Sequence, residues 1–329
     1  MAKIKKRVLI TGGNGFAGFH FVEYALKTTD WEIISLDSFR HMGDSQKAVR
    51  NKRVTYFTHD CATPIGEVLD KRIGHVDYVV NMAAQSHVDR SIDDPRGFIY
   101  NNTQIATEIA LWAVFRKVEK FLQVSTDEVY GAAPVGYDHK EWDKIIPSNP
   151  YSASKACQEA VVISFWRTYS LPLIITNCMN LIGERQHHEK FVPMVIKNIQ
   201  RGNEVTIHGN QKFIGMRKYL HAKNHAAAIL HLLQLPSVPM FPKADMPMRV
   251  NVVGDVEMNN LEMAEYIAKL MGKKLKYRLV DFHSARPGHD PRYSLDGSLL
   301  KKIGFTHPIP FEKAMKETIK WFKKNGEWL

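Results

Sequence analysis

Three glycines spaced by three, Gly12, Gly15 and Gly18, separate a short apolar run at 7–11 from a stretch at 19–28 whose apolar residues recur with helical period. A second apolar run, 32–37, follows and ends in Asp37. Few folds accept that order. Two parallel strands joined by a helix need a right-handed crossover onto one sheet. The glycines let the chain turn tightly and bring a pyrophosphate close to the free N–H groups of the helix N-terminus. In this context the spacing reads as a dinucleotide fingerprint rather than as a turn kept for packing. Asp37 is where a carboxylate accepts from the adenine-ribose hydroxyls and repels a 2′-phosphate, which favours NAD over NADP, and Arg40 nearby works against that preference. Asp60 with Cys61, after the third apolar run, either meets the adenine edge or caps a helix.

The alternation continues. Further strands are expected at 54–57, 76–80, 120–125 and 173–177, with room for a helix between each, and two long helices at 102–118 and 152–169. This predicts an α/β chain with a Rossmann-type, doubly wound parallel sheet. After Cys178 the pattern loosens. Helices are expected at 225–233, 260–271 and 311–324, a strand at 276–280, and a loop where Pro236, Pro239, Pro242 and Pro247 crowd together. The division this implies is a nucleotide-binding body, 1–178 with about 213–255, and a smaller interleaved substrate-binding unit, about 179–212 with 256–329.

Composition narrows the class. The net charge of +11 is spread along the chain rather than gathered in a stripe with interleaved aromatics, so a small anionic substrate is expected and nucleic acid is not. No stretch is long and apolar enough for a membrane helix, and the basic start runs into a short strand rather than a signal peptide. Three cysteines far apart fit a reducing compartment, so a cytoplasmic location is expected. His187 and His188 with Glu189 invite a metal reading, but adjacent histidines do not readily face one ion and no His-x-x-x-His helix accompanies them; no metal is expected. Cys157 reads as a small core residue.

The chemistry is concentrated in two runs, Ser125-Thr126-Asp127-Glu128-Val129-Tyr130-Gly131 and Tyr151-Ser152-Ala153-Ser154-Lys155. The spacing of Tyr151 and Lys155 puts phenol and ammonium on one helix face. Hydride transfer uses a Thr, a Tyr and a Lys, but has no evident use for two adjacent carboxylates. An acid and a base standing beside the redox set point to oxidation coupled to loss of water. Alone, an Asp-Glu pair is more often a solvated turn; its flanks carry the catalytic reading.

With these residues in view the chain resembles the extended short-chain dehydrogenase/reductases and, within them, the NDP-glucose 4,6-dehydratases, nearly end to end. The resemblance also rests on Ala83-Ala84-Gln85-Ser86-His87-Val88-Asp89-Arg90-Ser91, Thr176-Asn177-Cys178, Glu189-Lys190-Phe191-Val192-Pro193 and Arg286-Pro287-Gly288-His289-Asp290. It implies that Tyr151 takes the sugar 4-hydroxyl proton while hydride passes to NAD, that Lys155 lowers the phenol pKa, and that Thr126 holds the same oxygen. Glu128 would then remove the C5 proton and Asp127 would protonate the leaving 6-hydroxyl. It adds Phe16, Ser38, Ala83, Ala84 and Asn101 to the cofactor contacts, with Asn102 offering a second register. Ser86 and Thr126 would touch the hexose, Asn180, Lys190 and Phe191 would hold sugar and diphosphate, Thr206, Ile207 and His208 would line the base pocket, and Arg217, Asn260, Arg286 and His289 would complete the diphosphate and nucleoside clamp. It further implies a homodimer built on the two long helices. Asn180-Leu181-Ile182-Gly183-Glu184 and Arg217-Lys218-Tyr219-Leu220-His221-Ala222-Lys223-Asn224 depart from the family pattern around the nucleotide. The alternatives are an NDP-sugar 4-epimerase or decarboxylase of the same fold, which would not need the carboxylate pair, and a non-catalytic NAD- or sugar-nucleotide-binding regulator.

Overall fold

The computed structural model describes residues 5–39, 48–210, 213–238, 241, 245–281 and 288–329. From the N-terminus the chain runs β1 (Arg7–Thr11), α1 (Phe16–Thr28), β2 (Glu32–Asp37), β3 (Val54–Thr58), α2 (Glu67–Ile73), β4 (Tyr78–Asn81), α3 (Val88–Asp93), α4 (Pro95–Arg116), β5 (Lys120–Thr126), α5 (Pro150–Tyr169) and β6 (Leu173–Cys178). It continues through β7 (Asn180–Ile182), α6 (Phe191–Arg201), β8 (Val205–His208), β9 (Met216–His221), α7 (Ala222–Gln234), β10 (Met248–Val252) and β11 (Val256–Asn259). Then come α8 (Asn260–Met271), β12 (Tyr277–Val280), β13 (Arg292–Tyr293), α9 (Ser298–Lys302) and α10 (Phe311–Lys324). Among the described residues no helix is long and apolar enough to cross a membrane.

Seven parallel strands form the central sheet in the order β10-β6-β5-β4-β1-β2-β3. Its inner strands are apolar on both faces, as in β1 with Val8, Leu9 and Ile10 fully buried, because helices cover both sides. One face packs Phe21, Val22 and Ala25 of α1 with Ala226, Ile229 and Leu233 of α7. The other packs Ile73 of α2 with Ile105, Ile109 and Ala113 of α4 and Val162 of α5. Strand order reverses between β1 and β4, and the crevice beyond their C-terminal ends is where such sheets hold ligands. The Thr11 hydroxyl donates to Asn81 Oδ1 (2.7 Å) and accepts from the amides of Met82 and Ala83 (both 3.0 Å), fixing the chain as it leaves β4 at that crevice.

A smaller unit gathers around β9, with β7, β11 and β13 in its sheet and β8 paired to β12 beside it. Helices α6, α8 and α10 bury Val192, Ile196, Ile199, Met263, Ile267, Met315 and Phe322 against it. The i, i+3, i+4 spacing of these residues made α8 and α10 legible at their observed bounds. Helix α4 begins at Pro95, well before the expected 102, because Asp94 caps it through Gly97 N (2.9 Å) and Pro95 pre-sets its first turn.

Strands β7, β8, β9, β10, β11 and β13 were not expected. Of these, β10 directly follows the proline-marked loop and pairs with β6 at the sheet edge; Pro239 and Pro242 lie outside the described residues. Arg249 disguised it, since a guanidinium rarely sits inside a strand with no exposed surface. There it donates to Glu159 of α5 at 2.7 Å, and both side chains are fully buried. Breaking such a pair strands a buried charge, so Arg249→Met should destabilise the protein by about 3–5 kcal/mol in denaturant unfolding. Arg249→Met with Glu159→Leu should recover most of that loss, and equal loss in the single and double variants would contradict the pairing.

Candidate functional site

The turn after β1 is built for close approach. Gly12 has φ 72°, and a Cβ on Gly18 would lie 2.1 Å from the Gly12 carbonyl oxygen, so helix α1 can start against the turn only with glycine there. Asp37 ends β2 with its carboxylate accepting from the amides of Asn14 (3.0 Å) and Phe39 (2.9 Å). These residues open onto a continuous cavity of about 410 Å3 at the crevice. Gly12, Gly15, Phe16 and Gly18 line one end with Asp37, Ser38, Asp60 and Cys61; Ala83, Ala84 and Asn101 line the middle. Every expected cofactor contact among the described residues therefore borders one space, and Arg40 lies outside them. Asp60 also closes its own turn, accepting from Ala62 N at 3.1 Å. The two asparagine registers separate cleanly. Asn102 is fully buried, bonding Gln85 N, Gln85 O and Ser154 Oγ, which leaves Asn101 facing the cavity. A pyrophosphate-sized turn with no room for a Cβ and an acid at the end of β2 fit a dinucleotide.

The cavity continues to the C-terminal end of β5. There the strand breaks at Thr126 into a 3-10 turn, Asp127–Tyr130, which drops both carboxylates beside the sheet edge. Thr126 Oγ1 caps the turn from Glu128 N (3.3 Å), donates to Asp127 Oδ1 (2.9 Å) and also meets the Tyr151 phenol. Tyr151 is delivered by the first turn of α5, whose capping box joins Asn149 and Ser152 reciprocally behind Pro150.

Burial sets the electrostatics. Desolvation, followed by the charge of Glu128, pushes Asp127 from the ordinary 3.8 up to about 7, and its Oδ2 is buried without a hydrogen-bond partner. Glu128 is raised by burial but drawn back by a bond from Asn149 Nδ2 (3.3 Å) and by the charges of Arg217 and Lys190; the Tyr293 hydroxyl also donates to it (3.4 Å). Two neighbouring carboxylates thus sit in different surroundings, the arrangement that separates an acid from a base. Lys155 is pushed down to about 8 by burial. One expectation needs correcting. Tyr151 is raised well above the usual phenol value, because burial and the charge of Glu128 dominate, while Lys155 spends its protons on the Val124 carbonyl (2.8 Å) and Gln158 Oε1.

Of the expected substrate contacts, Ser86, Thr126, Asn180 and Lys190 line the same cavity. The other described ones fall outside its lining. Phe191 packs on the core of the smaller unit, and Ile207 is fully buried in that core between Thr206 and His208 on β8, so only its main chain can meet a ligand. Arg217 bonds the carbonyls of Met216 (2.7 Å), Asp290 (2.9 Å) and Pro291 (3.1 Å) and lies over the Tyr293 ring. Asn260 accepts from the Tyr219 hydroxyl (3.2 Å) and His289 lies 3.0 Å from Asp89. Arg286 lies outside the described residues. Sequence reasoning missed Asn149 and Tyr293 as partners of Glu128, and Gln186, His187 and His225 as cavity residues. The Asn-Pro step before α5 signals a cap and so offered a hint for Asn149; nothing local marks Tyr293, which reaches Glu128 across 165 residues.

Residues 8–240 match the NAD dependent epimerase/dehydratase family. Among similar proteins, the low-salt glycan biosynthesis protein Agl12 of Haloferax volcanii is 32% identical over 97% of this chain and 99% of its own. The dTDP-glucose 4,6-dehydratase of Haemophilus influenzae is 34% identical, covering 97% of this chain and 98% of that one. Among solved structures, a dTDP-glucose 4,6-dehydratase from Streptomyces venezuelae with NAD bound superimposes with a TM-score of 0.87 at 30% identity, over 98% of each chain.

The buried acid has a cost that can be measured. A carboxyl whose pKa rises on folding holds more protons in the native state, so its contribution to stability is lost as pH climbs from about 4 to about 7. Asparagine does not ionise. Asp127→Asn should therefore raise Tm by at least about 2 °C near pH 8, and the gain should fade as pH approaches 4. A gain independent of pH would contradict the raised pKa.

Proposed function

Because the chain belongs to the NAD dependent epimerase/dehydratase family, we propose that it is a sugar-nucleotide 4,6-dehydratase, converting an NDP-glucose, dTDP- or UDP-glucose first, to the NDP-4-keto-6-deoxyglucose and water. The observation that carries this reading is the buried Asp127/Glu128 pair beside Thr126, Tyr151 and Lys155 in one cavity. NAD, which the turn at Gly12, Gly15 and Gly18 and the carboxylate of Asp37 would hold, would supply hydride chemistry, an acceptor for C4 and a donor for C6, with no net change in the cofactor. The remaining work falls to side chains. Tyr151 accepts the 4-hydroxyl proton and Thr126 holds that oxygen; Lys155, one turn along the helix, has to turn from Val124 and Gln158 towards the phenol to support its ionised form. Once C4 is a ketone, the C5 proton becomes acidic and Glu128 removes it, then returns a proton to C5 when hydride arrives at C6. Asp127, kept protonated by burial, gives its proton to the departing 6-hydroxyl, which leaves as water.

The division of labour rests on surroundings rather than on residue type. Glu128 has Asn149 and Tyr293 on one oxygen and cationic Arg217 and Lys190 within electrostatic range, which favour its ionised form. Asp127 has a bond to Thr126 on one oxygen and nothing on the other. The smaller unit, on this reading, takes the nucleotide, and the cationic Lys190 faces the diphosphate. Exposed apolar side chains on α4, including Tyr100 and Phe115, support a homodimer through α4 and α5, which light scattering at micromolar protein tests: a monomer would refute it.

Incubation with dTDP-, UDP-, CDP- and GDP-glucose should give loss of one water from one of them without net NADH. Unchanged mass with an inverted C4 would instead identify a 4-epimerase, and no turnover with any sugar would favour the regulator. Asp127→Asn should lower dehydration by about 10²- to 10⁴-fold while leaving C4 oxidation measurable; equal loss of both steps would contradict the assignment. Since the acid form of Asp127 is the working form and half of it is lost at about 7, the elimination step should slow as pH rises beyond that point.

A further inference from the structure

Beside the mouth of the cavity, two segments far apart in sequence bring three metal-ligating groups together. His87 leads into α3, while His187 and Glu189 lie just before α6, and His187 lines the cavity. The ligand atoms of His87, His187 and Glu189 all lie within 4.8 Å of one another. Glu189 Oε2 is 3.4 Å from His87 Nε2 and 3.5 Å from His187 Nδ1. Ligands 2.0–2.1 Å from a tetrahedral zinc ion sit about 3.3–3.5 Å apart, so the two separations from Glu189 match ligands around one ion, and the two imidazole nitrogens lie within 4.8 Å of each other.

The hydrogen bonding agrees. His87 Nε2 is buried and makes no hydrogen bond, although the Glu189 carboxylate is 3.4 Å away, so a buried imidazole nitrogen is left for a ligand. His187 Nδ1 has only a long contact from the Glu189 amide (3.4 Å). We propose that His87, His187 and Glu189 form a three-ligand site for a zinc-class divalent cation, with its fourth position open to solvent at the cavity mouth. Two imidazoles and one carboxylate select such an ion over magnesium or calcium, which prefer all-oxygen shells. The adjacent pair His187-His188 is not what makes the site; the second imidazole comes from the loop before α3. Two cations bear on it. Arg90 Nη2 pairs with both Glu189 oxygens (3.2 and 3.3 Å), and Lys190 follows Glu189 directly, so an incoming ion shares the carboxylate and affinity is held below that of a closed structural site.

The test is metal binding by the chelator-stripped full-length protein, followed by competition with a chromogenic zinc indicator and by the visible spectrum of bound Co2+. One saturable equivalent of Zn2+ and a tetrahedral Co2+ spectrum are expected, with His187→Ala and Glu189→Gln each weakening binding at least about tenfold, since even outer-shell changes cost 10–100-fold. His188→Ala should bind like the parent, and thermal unfolding of the stripped variants would establish that each is folded. Absence of a saturable equivalent, undiminished binding by His187→Ala, or equal weakening by His188→Ala would overturn the site.

Discussion

The hydrogen bond from Thr126 to Asp127 closes one oxygen of a carboxyl group whose other oxygen is buried without a partner. The rest of the site follows from that asymmetry. A buried carboxylate with one unsatisfied oxygen is costly when charged, so the group keeps its proton into the neutral range. Its neighbour in the chain is raised by burial too, but Asn149 Nδ2 and the charges of Arg217 and Lys190 draw it back, and the Tyr293 hydroxyl donates to the same oxygen. One dipeptide thereby presents two carboxyl groups in different surroundings within one turn of backbone.

That turn is braced from behind. Asn177 of β6 donates to the Thr126 carbonyl (3.0 Å) and to Glu159 (2.8 Å), and Glu159 is the partner of Arg249 on β10. Tyr130, at the end of the same turn, donates to the Glu141 carbonyl (2.8 Å) and receives a contact from Arg249 (3.3 Å). Strands β5, β6 and β10 and helix α5 are thus joined by polar groups with almost no solvent access, which converts sheet rigidity into fixed positions for the reacting side chains.

Much of this was legible in the sequence wherever the physics is local. The glycine turn, Asp37 and the apolar strands announce themselves by spacing, and the amphipathic faces of α8 and α10 give their bounds. Asn101 against Asn102 could not be separated, because the choice depends on which asparagine meets Gln85 and Ser154 across two helices. Strand β10 was hidden by a charge that only a distant glutamate makes tolerable, and the phenol's raised pKa follows from burial that spacing does not encode. For the same reason His87 and His187, a hundred residues apart, could not be read as neighbours.

The central claim is that hydride leaves C4 and returns to C6 of one sugar while Asp127 and Glu128 remove water between. The most direct measurement is turnover of NDP-glucose carrying deuterium at C4, with mass and NMR analysis of the product. The account predicts loss of one water with the deuterium retained at C6. Deuterium found in bulk NADH, in solvent, or still at C4 of a sugar of unchanged mass would contradict it.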